Sequence, residues 1–103
     1  MKIVRSIAGV PIRLTAERLD HIARRHPEMA DQEEKILETI TSPDCVQEGD
    51  SGTSIAVKSY PKTPVSQKSC AVVYRQLSES DGFVVTAYFT SRPASWRRMV
   101  WKR

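Results

Sequence analysis

The sequence predicts an α+β domain in which two N-terminal helices pack on a roughly four-stranded antiparallel sheet. Two observations predict this class. Residues 16–41 carry apolar side chains at helical spacing, and this region contains one internal proline. From Cys45 onward, apolar and polar residues instead tend to alternate, and turn-forming residues separate the alternating segments. Helices that precede an antiparallel sheet in the chain typically pack on one of its faces.

Length and composition indicate one domain, residues 1–103, with a basic tail at residues 91–103. The chain is 40% hydrophobic and 27% charged, which is typical of a globular protein with a single core. No apolar run approaches the roughly 20 residues of a membrane-spanning helix. The N-terminal segment also lacks the uninterrupted apolar stretch of a signal peptide. We therefore expect a cytoplasmic protein that does not bind membranes.

The helix boundaries follow from capping residues and prolines. The first helix is predicted over Ala16–His26, because Thr15 is a favourable N-cap and Pro27 disfavours helical geometry in the residue before it. The second is predicted over Ala30–Thr41, where the apolar residues recur on one face.

The extended segments are predicted from alternation and from the turns between them. They are Lys2–Ile7, Ile12–Leu14, Cys45–Gln47, Ile55–Tyr60, Ser69–Leu77 and Phe83–Thr90. Pro61–Gln67 is predicted to be a loop, and the Asp-Gly pair before Phe83 indicates a hairpin. Alternation divides the last strand into a face toward the helices (Phe83, Val85, Ala87, Phe89) and an outer face (Val84, Thr86, Tyr88, Thr90).

Charge is distributed unevenly along the chain, whose net charge is +4. Residues 28–50 contain eight acidic residues and one lysine, whereas residues 91–103 contain five basic residues and no acidic one. Basic segments of this kind suit a polyanionic partner such as RNA, because lysine and arginine neutralise phosphates. An ordinary solvated surface is the alternative interpretation.

Two histidines near the end of the first helix are the leading candidates for chemistry. His26 ends the apolar stripe of the helix, while His21 lies on its cationic face beside Arg24 and Arg25. Histidine carries protons near neutral pH, and arginine binds phosphate. Alternatively, His26 belongs to the core or binds the last helix carbonyls, and His21 is a solvated surface residue.

Polar residues on the predicted sheet supply further candidates. Thr86, Tyr88 and Thr90 share the outer face of the last strand, where they could bind phosphates and stack on bases. Neighbouring strands carry Lys58 and Arg75, whose facing depends on the strand register. Trp96 and Trp101 in the tail could stack on RNA bases or cover the core. No glycine-rich phosphate loop or metal-binding motif is present in the sequence, so no metal and no cofactor is expected.

The helix carries the motif H-I-x-x-R-H-P-E from His21, and the last strand carries V-x-T-A-Y, which ends at Tyr88. These motifs lie within the segments RLTAERLDHIARRHPEM and VVYRQLSESDGFVVTAYFTSRP, which flank ILETITSPDCV. Because of these motifs, the segment from about Leu14 to Pro93 resembles the barnase–EndoU–colicin–RelE (BECR) superfamily of ribonucleases. The resemblance is greatest to the phage-associated branch of that superfamily. The resemblance implies a helix-then-four-strand fold and metal-independent RNA cleavage by attack of a ribose 2′-hydroxyl on the adjacent phosphate.

The resemblance also implies roles for individual residues. His21 and His26 would be general acid or base, Arg25 would bind the phosphate, and Tyr88 would be the partner acid or a stacking surface. Residues that would bind the substrate are Arg24, Lys58, Arg75, Thr86, Thr90 and Arg92. The implied partners are RNA, including tRNA or ribosome-bound mRNA, and a cognate antitoxin or immunity protein.

Three classes of function remain open on the sequence. The first is a toxin-like endoribonuclease, which would cleave RNA without metal. The second is an RNA- or ribosome-binding module of the same fold without catalysis. The third is a protein-interaction module, in which the tryptophans and the acidic helix contact a partner.

Overall fold

The structure is a computed structural model that describes residues 1–66 and 69–103. The strands and helices follow in the order β1 (Lys2–Arg5), β2 (Pro11–Leu14), α1 (Ala16–Arg25), α2 (Glu33–Thr41), β3 (Cys45–Glu48), β4 (Ser54–Ser59), β5 (Ser69–Ser78), β6 (Asp81–Thr90) and β7 (Met99–Lys102). The predicted α+β class is therefore confirmed. Gln67, the last residue of the predicted loop, lies outside the described residues.

The sheet is larger than predicted, and it is mixed. Over the described residues it has seven strands in the order β1-β2-β6-β5-β4-β3-β7. Strands β3 to β6 form the expected antiparallel meander, but β2 pairs in parallel with β6 through Arg13 and Phe83. The prediction of a four-stranded antiparallel sheet is wrong because it left the N-terminal hairpin unpaired with the meander and missed β7. Both additions join segments distant in the chain, and alternation alone does not identify such partners.

The helices differ from prediction mainly at one boundary. Helix α1 begins after Thr15, whose Oγ1 accepts a hydrogen bond from the backbone N–H of Arg18 at 3.0 Å. Helix α2 begins at Glu33 rather than Ala30, because Pro27–Met29 forms a separate 3-10 turn. The Met29 side chain is fully buried, so this turn is anchored in the core between the two helices.

Both helices pack on one face of the sheet and form the main core with it. Ile22 comes from α1, and Ile36 and Ile40 come from α2. They meet buried side chains of the sheet, namely Ile12, Leu14, Val46, Ala56, Cys70, Val72, Tyr74, Val84, Ala87 and Phe89. Trp101 of β7 is partly buried and packs against this core, and it pairs with Val46 of β3.

A β-bulge at Val85 corrects the predicted facing of β6. Val73 of β5 pairs with Thr86, and the next residue, Tyr74, pairs with Val84, so Val85 is an extra residue. Val84 is consequently 1% exposed in the helix-side core. Phe83 lies opposite Arg75 on the other face, which is opposite to the prediction for Phe83. Ala87, Tyr88 and Phe89, which follow the bulge, face as predicted.

Candidate functional site

The face of the sheet away from the helices, called the outer face here, has an apolar centre. Two cross-strand rows form it, Val57–Ala71–Tyr88 and Ile55–Val73–Thr86. Ile55, Val57 and Ala71 are buried although no helix covers them. Another part of the chain therefore shields this face from solvent.

The segment between β6 and β7, residues 91–98, provides this cover. Gln47 Nε2 donates a hydrogen bond to the carbonyl oxygen of Ala94 at 2.7 Å, and Glu48 N donates to Arg98 O at 2.8 Å. The segment and the sheet enclose a cavity of about 160 Å³. Its polar wall includes Tyr88, Thr90, Arg92 and Arg97 above an apolar floor of Ile55, Val57 and Ala71. The Tyr88 side chain and the guanidinium groups of Arg92 and Arg97 thus border one small cavity.

His26 of the helix motif contacts Tyr88 of the strand motif. The centroids of the two rings are 5.7 Å apart, with an angle of 35° between the ring planes. Both side chains are half-buried. Among the described residues, no hydrogen bond joins the His26 ring nitrogens or the Tyr88 hydroxyl to a protein group. The two rings are named the His26–Tyr88 pair below.

The edge of β6 explains how a helix end reaches the outer face. Strand β2 pairs with β6 near its start, at Phe83, and the later residues of β6 lie beside α1. Arg18 Nη1 donates to the carbonyl oxygen of Val85 at 3.2 Å, which holds the helix along this edge. Pro27 disfavours a helical conformation at His26, whose φ of −133° and ψ of 81° turn the chain out of the helix.

Arg97 is the most constrained cation of the cavity. Its Nη1 and Nη2 donate to the two carboxylate oxygens of Asp50 at 3.1 and 3.2 Å, and Nη1 also donates to Glu48 O at 3.4 Å. The hydrogen bond with Asp50 raises the pKa of Arg97, and the nearby Tyr88 oxygen acts in the same direction. The same hydrogen bond lowers the pKa of Asp50. Arg97 is therefore held beside Tyr88 in the cavity wall as the cation of an ion pair with Asp50.

The outer face holds several of the predicted substrate-binding residues. Thr86 and Thr90 lie on it as expected, in register with Val73 and Ser69 of β5. The Thr90 hydroxyl, however, makes two hydrogen bonds with the backbone of Arg92. It donates to the Arg92 carbonyl oxygen at 3.0 Å and accepts from the Arg92 N–H at 3.2 Å. Thr90 thereby positions the chain at Arg92, the next predicted cation, which lines the cavity.

Arg75 and Lys58 are not brought to the cavity. Arg75 shares the outer face but lies in the row of Phe83, at the other end of β6 from Tyr88. Lys58 pairs with Cys70, which belongs to the helix-side core. Its Nζ donates to the carbonyl oxygen of Ser42 at 2.9 Å, where α2 ends. The side chain of Lys58 therefore binds a helix end on the face opposite Tyr88.

The cationic residues of α1 separate into two groups. His21 is exposed and lines a different hollow, of about 290 Å³, together with Thr15, Glu17 and Arg18. Arg24 and Arg25 are exposed in the last turn, next in sequence to His26. Five residues of a helix, at about 100° each, place His21 and His26 on different sides. The two histidines are thus not brought into one site.

Sequence reasoning missed Arg97 as a site residue, together with Asp50 and Gln47, which hold its segment in place. The WRR sequence at Trp96 signals a cationic and aromatic cluster, but its location depends on β7 pairing with β3. Throughout the described part of the chain, no three His, Cys, Asp or Glu side chains are grouped so that they could hold a metal ion.

Comparison of the chain with models of protein families, with curated proteins and with solved structures finds no match. Among residues 1–66 and 69–103, no helix is long and apolar enough to cross a membrane.

Proposed function

We propose that this chain is a metal-independent endoribonuclease of toxin type, with the His26–Tyr88 pair as its catalytic centre. The observation that carries the proposal is the contact between the two rings, whose centroids are 5.7 Å apart. Tyr88 of this pair also lines the cavity that Arg92 and Arg97 border. An imidazole exchanges protons near neutral pH, and a phenol retains its proton there. The pair can therefore offer a base and an acid on the two sides of one phosphate.

The proposed reaction needs two proton transfers. His26 accepts the proton of a ribose 2′-hydroxyl, and the resulting oxygen attacks the adjacent phosphorus. The bond from phosphorus to the 5′-oxygen breaks, and the Tyr88 hydroxyl donates its proton to that oxygen. The products are a 2′,3′-cyclic phosphate and a 5′-hydroxyl end, and the imidazolium then returns a proton to Tyr88 through water.

Charge stabilisation is assigned first to Arg92, which lines the cavity beside Tyr88 and has no acidic partner among the described residues. Arg25 precedes His26 in the chain, and Arg97 lines the cavity as a cation that is already paired with Asp50. Fixed cations stabilise the extra negative charge that develops on the phosphate oxygens during attack. Thr90 supports this arrangement because its hydroxyl binds both the carbonyl oxygen and the N–H of Arg92.

The first test measures cleavage of total cellular RNA by the purified protein in EDTA. We expect His26→Ala and Tyr88→Phe each to lower the rate by about 10²–10⁴-fold, the usual contribution of a general acid or base. His21→Ala is the matched control, because it removes an exposed histidine of the same helix outside the cavity. Equal cleavage by His26→Ala and wild type would reject the proposed centre.

The toxin proposal adds a partner, a cognate antitoxin or immunity protein that keeps the nuclease inactive until it is released. Expression of the chain alone should then arrest growth, and the His26→Ala variant should not. Arrest that persists in the variant would show that the toxic effect does not need catalysis.

An RNA-binding module without catalysis is the second candidate. The specific observation that favours it is Trp96, which is 75% exposed beside the guanidinium of Arg97. Salt-dependent RNA binding by a folded wild-type protein, with no cleavage products over a range of pH, would select this function.

A further inference from the structure

Trp96 is an exposed aromatic residue whose neighbours hold it in place. The Arg97 guanidinium carbon lies 4.3 Å from the centroid of the Trp96 ring. Arg97 is itself bound to both carboxylate oxygens of Asp50. Because this cation is anchored twice, the ring that stacks on it is restrained, and yet 75% of the residue remains open to solvent.

A restrained tryptophan supported by arginine suits one kind of ligand group. The guanidinium covers part of the ring, and the high exposure leaves other ring surface free for a second planar group. Nucleobases stack on aromatic rings regardless of their identity, whereas bases within a duplex are already stacked on their neighbours. The ring can therefore take a base from a single strand.

The position of Trp96 relates it to the cavity. Arg97, the residue on which it stacks, lines the cavity together with Tyr88 and Arg92. A strand whose phosphate lies between these arginines has its neighbouring nucleotides within reach of the segment 91–98.

We propose that Trp96 is a nucleobase-stacking residue that restricts the substrate to single-stranded RNA, with Asp50 as a positioning residue that acts through Arg97. The restriction of cleavage to single strands rests on the proposed ribonuclease function. The stacking of a base on Trp96 does not, because a binding experiment alone measures it. Trp96 touches a base next to the cleaved phosphate, and it takes no part in proton transfer.

The test uses the His26→Ala protein, so that RNA survives, and follows tryptophan fluorescence. A 12-nucleotide oligoadenylate should quench the fluorescence and bind, whereas the same strand in a duplex should do so at least tenfold more weakly. Adding Trp96→Leu should remove the quenching and weaken single-strand binding by about tenfold or more, as expected for one stacked base. Trp96→Phe should restore most of that binding.

Met99→Ala is the matched control, since it removes a 48% exposed apolar side chain from the neighbouring strand β7. Binding of the single strand by Trp96→Leu with unchanged affinity would overturn the inference, as would equal quenching by duplex. Absence of any quenching by RNA would also overturn it and would point to a protein partner for Trp96. These binding outcomes are separate from the test of catalysis, in which equal cleavage by His26→Ala and wild type would reject the proposed centre.

Discussion

His26 shows how a single residue can carry two roles at a helix end. Its backbone N–H donates to the carbonyl oxygen of Ile22 at 2.7 Å and so closes the last turn of α1. Its side chain leaves the helix direction because Pro27 follows, and the ring reaches Tyr88. The structure therefore gives the helix-ending role to the backbone of His26, and the proposed catalytic role belongs to its ring.

Cys70 provides a prediction on pH at the scale of one residue. It is 0% exposed, and burial raises the pKa of its thiol to about 11. Since the folded pKa lies above the ordinary value of about 8.5, folding favours the protonated thiol. This contribution is complete below about pH 8.5 and is lost as the pH rises through about 11.

We expect the free energy of unfolding to fall by about 3 kcal/mol from this residue across that range. Urea unfolding of wild type and Cys70→Ala between pH 8 and 11 measures it, and the variant should show the smaller decline. Cys45→Ala is the control, because it keeps Cys70 and should keep most of the decline. Parallel pH profiles for wild type and Cys70→Ala would contradict the assignment to Cys70.

Strand β6 illustrates what a single extra residue does to an element. The bulge at Val85 moves Val84 into the core and places Phe83 on the outer face, because side chains alternate with a period of two. Alternation read from the sequence assigned the residues after the bulge correctly and those before it to the wrong faces. The bulge leaves no signal in the run FVVTAYF, since strand-favouring residues stand on both sides of Val85.

Gly82 carries a prediction at the scale of the sheet. The hairpin expected from the Asp-Gly pair is present, with Ser78 pairing with Asp81, so Gly82 lies in β6 rather than in the turn. A Cβ at Gly82 would lie 2.7 Å from Arg75 O and 2.7 Å from Ile12 Cδ1. Glycine is therefore required by the close approach of three strands.

Gly82→Ala should lower the free energy of unfolding by about 1–3 kcal/mol, the usual cost of overpacking a core. Chemical denaturation measures the change. Glu79→Ala, an exposed substitution in the adjoining turn, should change stability by less than about 0.5 kcal/mol. A Gly82→Ala protein as stable as wild type would mean that the neighbouring strands move apart freely.

At the scale of the whole molecule, folding brings together charges that are separated along the sequence. The sequence separates an acidic segment from a basic tail, but the structure pairs parts of them. Arg97, Arg98 and Arg103 form ion pairs with Asp50, Glu48 and Asp44, respectively. Within the described residues, Arg92 and Lys102 are the cations of the tail that have no acidic partner.

This pairing predicts which charge matters for RNA binding. Each phosphate contact on a single strand adds about 0.7 to the slope of log affinity against log salt. Arg92→Gln should therefore reduce the slope measured for a single-stranded oligonucleotide by about 0.7. Arg5→Gln, at the opposite edge of the sheet on β1, should leave the slope unchanged. Equal slopes for wild type and Arg92→Gln would remove Arg92 from the proposed interface.

The sequence by itself determined the α+β class, helix α1 to within one residue, the meander β3–β6 and the candidates His26 and Tyr88. These features depend on local periodicity, helix caps and prolines, all of which involve residues close together in the chain. Only the tertiary structure decided that β2 and β7 extend the sheet, that His26 contacts Tyr88, that His21 and Lys58 lie elsewhere, and that Arg97 joins the cavity. Such contacts depend on strand register and on pairing between segments far apart in the chain, and local patterns carry no information about either.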